Sequence, residues 1–325
     1  MSVPRQRGAA LLTVLLLVAV MTVLVVAVLD DIRFGLRRTG NAQALAQAQW
    51  YALGSETLAR AQIRRLGDRD AGRTTLAGNW NGAPFLFPID DGVIRVRLSD
   101  GTGCFNLNSV VEGAVGQWRR RETGVRQYLA LLRALDFEPR QASTMADALV
   151  DWIDSDQVRS PSGAEDASYA ARLPGHRTGG TLLAEASELR AIQGYDEDAY
   201  ARLRPHACAL PDDQLSPVNV NTLGKEDAVI LAMLADNAFG VDVARGVIAS
   251  RPADGWHSLD AFWQAPALRG VDLLPGVLEQ ASLRTRFFEL QTEVEYAGAE
   301  VVMSALLENE SGLARLVARR WTNDE

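Results

Sequence analysis

With 325 residues, the chain is long enough to bury a sizeable core and to hold two or three domains. Its 47% hydrophobic and 23% charged residues exclude a disordered polymer. A net charge of -8 disfavours nucleic acid as a partner, because such binding leans on Lys and Arg neutralising phosphates, and fits divalent cations better.

From Ala9 to Leu29 no residue is charged. At about 1.5 Å rise per residue such a helix spans the ~30 Å of bilayer hydrocarbon. Arg5 and Arg7 precede the run and Asp30 and Asp31 follow it, which favours a cytoplasmic N-terminus and places the remainder outside the cytoplasm. A cleaved secretory signal fits poorly, since the apolar run is too long and lacks a small-x-small site at its far end. A plain anchor fits the hydrophobicity equally well but leaves Arg5-Gln6-Arg7-Gly8-Ala9 unexplained.

The helix continues as a polar rod to about Leu66, where Trp50, Leu53, Leu58, Ile63 and Leu66 recur near helical spacing and predict a face packed on a globular domain. A loop follows over 67–82. Strands are expected at Phe85–Pro88, Val93–Leu98 and Cys104–Asn108, forming a small antiparallel sheet with Asp-Gly turns at Asp91-Gly92 and Asp100-Gly101. From Val111 to about Leu283 the pattern is helical, with helices expected at Arg126–Leu135, Ala142–Asp154, Leu183–Ala191, Glu197–Leu203, Lys225–Asn237, Val241–Ser250, Leu259–Gln264 and Leu274–Gln280. Strands return at Arg286–Ala297, Ala299–Glu308 and Leu313–Trp321. A sheet interrupted by helices and then resumed predicts an α+β fold with a helical insertion. No internal repeat stands out.

The only cysteines, Cys104 and Cys208, both fall on the non-cytoplasmic side, where disulfides persist; pairing is the simple reading and two buried thiols the alternative. No Cys/His spacing indicates zinc. Between Asp147 and Tyr169 the string DALVDWIDSDQVRSPSGAEDASY converges several carboxylates on one loop. It reads either as a solvated acidic loop or as an oxygen-rich Ca²⁺ site, and the placing of Val158 and Arg159 rules out an EF-hand. A second helical stretch, SPVNVNTLGKEDAVILAMLADNAFGVDVARGV, has the outline of a DNA-binding helix-hairpin-helix. Its turn Ala238-Phe239-Gly240-Val241 has one glycine and no lysine, so Val229, Leu231, Leu234, Val243, Val247, Ile248, Trp256, Leu259, Phe262 and Trp263 read as core instead. No G-x-S-x-G, P-loop or H-E-x-x-H occurs, and His176, His206 and His257 lie far apart, which points away from an enzyme.

The junction RQRG|AALLTVLLLVAV resembles the class III signal of type IV pilins and type II secretion pseudopilins. That resemblance implies cutting after Gly8 by a prepilin peptidase and N-methylation of Ala9. Major subunits of the family carry glutamate at the fifth mature residue; here Thr13 stands there, a habit of the minor pseudopilin K family. The string DWIDSD, followed by GAED, is similar to that family's calcium loop, which implies Asp151, Asp154, Asp156, Glu165 and Asp166 as candidate ligands of a structural Ca²⁺. Together with CFNLNSV, VNVNT and the returning strands, the resemblance covers nearly the whole chain. It implies an α+β fold in which a pilin-like long N-terminal helix packs on an antiparallel sheet, with a large all-helical insertion. The expected division is a leader at 1–8, a transmembrane helix at 9–29, pilin-like helix and first strands at 30–110, a helical insertion with the acidic loop at 111–215, a helix-hairpin-helix module at 216–283 and C-terminal strands at 284–325. The implied role is a non-enzymatic, single-pass inner-membrane protein with a periplasmic C-terminal domain. It would cap the pseudopilus tip with minor pseudopilins of the I and J type, above the major pseudopilin, without nucleic acid. A minor pilin of a type IV pilus and a membrane-anchored DNA-binding protein are the alternatives.

Overall fold

The computed structural model describes residues 7–171, 174–236, 238–271, 276–310 and 312–321. Residues 1–6 of the expected leader lie outside them, as do the expected helix end at Asn237 and helix start at Leu274. Helix α1 runs unbroken from Arg7 to Arg69, and its first part is long and apolar enough to cross a membrane. Its later half corrects the predicted face. Ile63 and Leu66 are buried, but Trp50 is 69% and Leu58 47% exposed. The buried line is instead Ala44, Ala48, Ala52, Ser55, Ala59, Ile63 and Leu66, three or four residues apart. Small side chains let the helix lie close on the sheet, so the contact is written in alanine, which carries little hydrophobic signal.

That sheet has five antiparallel strands in chain order: β1 (Pro84–Ile89), β2 (Gly92–Asp100), β3 (Phe287–Tyr296), β4 (Ala299–Glu310) and β5 (Leu313–Arg320). Strand alternation sends Ile94, Val96 and Leu98 of β2, opposite Val294, Thr292 and Leu290 of β3, toward α1. Ser55 Oγ lies 2.7 Å from Thr292 Oγ1, and the Arg319 guanidinium holds the Glu56 carboxylate of α1 through two bonds. On the opposite face Arg95 bridges Glu293 and Glu295 across the strands.

Everything between β2 and β3 is a helical head with its own core. The expected strand Cys104–Asn108 belongs to this head rather than to the large sheet: only Phe105–Asn106 is extended, pairing in parallel with Ala207–Cys208 before a 3₁₀ turn at Leu107–Val110. The head contains a structural repeat, correcting the sequence reading. In module 1, Asn106 Oδ1 accepts the Asn108 N–H (3.2 Å), and Asn108 bonds both Leu183 N (2.8 Å) and Leu183 O (3.0 Å). In module 2, Val218–Asn219 pairs in parallel with Ala281–Ser282. There Asn219 Oδ1 accepts the Asn221 N–H (3.0 Å), and Asn221 bonds Trp256 N (2.6 Å) and Trp256 O (3.1 Å).

Each module then runs through a helical hairpin, α2 (Glu122–Ala134) with α3 (Pro139–Ile153) in one and α6 (Ala228–Leu234) with α7 (Val241–Ala249) in the other. Both hairpins turn on an aspartate in the left-handed region, Asp136 (φ 59°) and Asp236 (φ 49°). Between these pairs come α4 (Asp166–Ala170) and α5 (Glu197–Leu203), and after them α8 (Leu259–Trp263) and α9 (Val277–Gln280). Three residues beyond Leu183 begins the 3₁₀ helix Ala186–Ala191, shorter than the helix expected there; three beyond Trp256 begins α8. Helix α6 is likewise shorter than expected, with Lys225–Asp227 a 3₁₀ turn before it. Of the predicted core, Val243 is exposed while Val247, Ile248, Trp256 and Phe262 are buried.

The parts meet at Asp100. Its carboxylate accepts the Thr102 N–H (2.7 Å) and the hydroxyls of Thr102, Thr222 and Thr285, so one side chain ties the end of β2 to the start of module 2 and to the segment returning to β3. Arg320 at the end of β5 pairs with Glu185 of module 1.

Candidate metal centre

Between α3 and Leu183, residues 154–182 form the acidic loop, where module 2 has only residues 250–255. Of the five expected carboxylates, Asp154, Asp156 and Glu165 come together, each offering an oxygen within 4.8 Å of the others. Asp154 ends α3, Asp156 follows it in the exposed bend, and Glu165 holds the N-cap position of α4 without a side-chain capping bond. Asp154 and Glu165 are buried, and Asp154 Oδ1 with both oxygens of Glu165 have no hydrogen-bond partner among the described residues. Burial first, then the charges of Asp156 and Asp151, pushes Asp154 up to about 7; burial, then Asp151, Asp154, Asp156 and Asp166, pushes Glu165 up to about 7. Buried carboxylate oxygens are rarely left idle, and these three residues repel one another. The donor set is all hard oxygen, which suits Ca²⁺ and not a thiophilic metal. A calcium ion fits: it would take these carboxylates and complete its shell with backbone carbonyls and water.

The other two candidates are engaged elsewhere. Both oxygens of buried Asp151 accept the Ser160 N–H at 3.1 Å, and Asp166 Oδ1 accepts the N–H and hydroxyl of Thr178, both at 2.9 Å. The sequence reading missed Asp147, whose Oδ1 takes Arg120 (2.9 Å) and whose Oδ2 takes the Ser162 N–H (3.0 Å). It also missed Gly163, where a Cβ would stand 2.0 Å from Asp151 Oδ2. The available signal was spacing, because Asp147 and Asp151 lie one turn apart on α3 and face the same loop.

Elsewhere, Gly8 and Ala9 lie in the first turn of α1. The Thr13 hydroxyl donates to Ala10 O at 2.9 Å. Cys104 and Cys208 form a disulfide with Cα atoms 5.8 Å apart, clasping the paired strands of module 1. Beside the hairpin turn Ala238–Val241, Asp236 pairs with Arg133 (3.1 Å).

Two family models, both described as Type II secretion system (T2SS), protein K, match residues 103–212 and 218–284. The type II secretion system protein K of Klebsiella pneumoniae is 36% identical over 325 residues, covering 99% of both chains. The chain belongs to the type II secretion system protein K family. The family member from Aeromonas hydrophila is 36% identical over 298 residues, covering 90% of this chain and 89% of its own. A crystal structure of the GspK-GspI-GspJ complex from enterotoxigenic Escherichia coli contains a chain 30% identical, with a TM-score of 0.77, covering 88% of this chain and all of that one. Membership makes the protein a minor pseudopilin of type II secretion, and the two family matches coincide with the two helical modules.

Proposed function

We propose that this minor pseudopilin caps the tip of a periplasmic pseudopilus and helps initiate and regulate its assembly, as a structural subunit rather than an enzyme. Prepilin peptidase cuts after Gly8 and Ala9 is N-methylated; α1 then sits in the inner membrane with its N-terminus cytoplasmic. Minor pseudopilins of the I and J type are its lateral partners and the major pseudopilin lies below, a reading supported by the likeness to a chain from a GspK-GspI-GspJ complex.

The observation that carries the cap is the head itself: both modules leave the sheet between β2 and β3, adding a body that obstructs stacking of another subunit above. Thr13 agrees. A buried glutamate needs a partner charge, whereas the Thr13 hydroxyl is satisfied by its own preceding turn and sits in lipid at little cost. Quantitative immunoblotting of sheared fibres tests the cap: a low, length-independent copy number is expected, and signal at major-subunit abundance would rule it out. Cleavage is tested by Gly8→Val, which should leave full-length precursor.

The acidic loop holds a structural Ca²⁺ through Asp154, Asp156 and Glu165. Neutralising three crowded carboxylates stabilises the folded state by RT ln(1 + [L]/Kd), about 2.7 kcal/mol at a hundredfold excess over Kd. The full chain in detergent should therefore melt higher with Ca²⁺ than with chelator, and Asp154→Ala should remove the difference. Equal curves for wild type would return the loop to a solvated surface.

A further inference from the structure

We propose that the acidic loop divides its carboxylates between two tasks: Asp147 and Asp151, with Gly163 as spacer, form a frame that positions Glu165, while Asp154, Asp156 and Glu165 hold the cation. This rests on the calcium reading above and goes further, taking Asp151 out of the ligand set and giving Asp147, Arg120 and Gly163 a role.

The division follows from what each oxygen already faces. Asp147 spends one oxygen on the Arg120 guanidinium and the other on the Ser162 amide. Asp151 turns both oxygens to the Ser160 amide, and the Ala164 amide also points to it. A carboxylate engaged by N–H dipoles makes a poor metal ligand, because each donor opposes the approach of a cation. Asp154 Oδ1 and the Glu165 oxygens, buried and without donors among the described residues, are the reverse case. Asp156 stands between, its Oδ1 accepting the Val158 N–H (2.7 Å) and its Oδ2 left to the cation.

The frame grips the loop from 160 to 164, immediately before Glu165. Its far end is pinned separately, by Ser155 N–H to Trp118 O (3.0 Å) and Trp118 N–H to Ser155 Oγ (2.9 Å), beside Asp154 and Asp156. Gly163 is required for space and not for its torsions. A Cβ there would meet Asp151 Oδ2 at 2.0 Å and Asp147 O at 3.0 Å, and Asp151 cannot withdraw without releasing Ser160. The loop is thus shaped before metal arrives, so binding orders little chain.

Terbium(III), excited through Trp118 and Trp152, serves as the calcium probe on the full chain in detergent micelles. Titration gives affinity, and lifetimes in H₂O against D₂O count the waters on the ion. Gly163→Ala and Asp151→Ala should weaken binding about 10–100-fold, the usual cost of losing a group that orients a ligand, with the number of bound waters unchanged. Asp151→Asn, whose Oδ1 still accepts the Ser160 amide, should recover near wild-type affinity. Asp154→Ala should instead admit about one more water, since a ligand is lost. An added water in Asp151→Ala, or wild-type affinity in Gly163→Ala, would overturn the proposal. Wild type without terbium emission would overturn the calcium reading itself. The frame is read independently of metal by amide exchange in the chelated chain, where Ser160 and Ser162 should be protected and should lose protection in Asp151→Ala and Asp147→Ala respectively; fast exchange in wild type would sink it.

Discussion

Modules 1 and 2 share a paired strand, an asparagine latch and an aspartate-turned hairpin, then part company at one connection. Module 2 crosses it with residues 250–255; module 1 spends residues 154–182 there and gains the acidic loop. The lesson is that the latch defines the unit. Asn108 and Asn221 each grip both backbone groups of one residue, Leu183 or Trp256, so the connection tolerates different lengths provided it returns to that point. Closing a longer loop costs more chain entropy, though slowly with length. Module 1 carries the disulfide Cys104–Cys208 at the positions where module 2 has Pro217 and Ser282.

Opening that disulfide is the strongest blow to module 1. With a sequence separation of 104 between the cysteines, the chain-entropy model allows up to about 4.7 kcal/mol, and the double substitution Cys104→Ala, Cys208→Ala should cost about 3–4 kcal/mol in thermal unfolding. Amides around Leu107–Val110 should exchange sooner while those of module 2 keep their protection. An unchanged melting temperature would mean that the latch alone suffices.

The latches come next. Asn108→Ala strips bonds to Leu183 N, Leu183 O and Leu210 O, and Asn221→Ala strips two to Trp256, each leaving buried backbone groups unpaired. Losses of about 2–4 kcal/mol are expected, larger for Asn108, read from urea midpoints at constant slope. If Asn221→Ala were neutral, the modules would not be equivalent.

Asp227, in module 2, separates the modules by pH. Burial above all, with Glu226 and Asp100 adding repulsion, raises it from 3.8 to about 6. The folded state therefore keeps a proton that the unfolded state has released between about pH 4 and 6, so the penalty is full above about 6 and fades as pH falls toward 4. Asp227→Asn should raise stability by about 2 kcal/mol at pH 8 and leave it unchanged near pH 4. A gap between the melting curves that widens toward acid would refute the assignment.

The smallest effect belongs to the Arg133–Asp236 pair between the two hairpins, partly exposed on both sides. A double-mutant cycle should give at most about 1 kcal/mol, because the hairpins meet by packing of α2 on α6. Coupling beyond about 2 kcal/mol would show that charge holds them together.

The membrane run and the alternation of Val93–Leu98 and Arg286–Ala297 were legible because apolar period maps directly onto lipid or one sheet face. Cys104–Asn108 misled for the same reason. Phe105 and Leu107 alternate with Asn106 and Asn108 as in a half-buried strand, yet all four are buried and the asparagines satisfy the backbone in place of a ladder. The repeat was present as Phe105-Asn106-Leu107-Asn108-Ser109 against Val218-Asn219-Val220-Asn221-Thr222, but two short strings so far apart stand out only once their bonds coincide. In the acidic loop, Asp151 and Asp154 look alike one turn apart. What separates them is which oxygens meet backbone N–H groups, a matter of how the chain returns from Ser160.

Along the outer strand β1, Pro84 and Pro88 lie four residues apart, with Leu86 between them on the same side of the strand. Proline offers no N–H, so that edge lacks the run of donors on which a foreign strand could dock, and β5 at the opposite margin bears Arg315, Arg319 and Arg320. Both margins thereby disfavour extension of the sheet sideways from one molecule to the next. For a minor pseudopilin this separates two kinds of contact: packing through α1 makes no demand on either sheet margin, while strand-to-strand addition meets missing donors at one margin and bulky, carboxylate-paired arginines at the other.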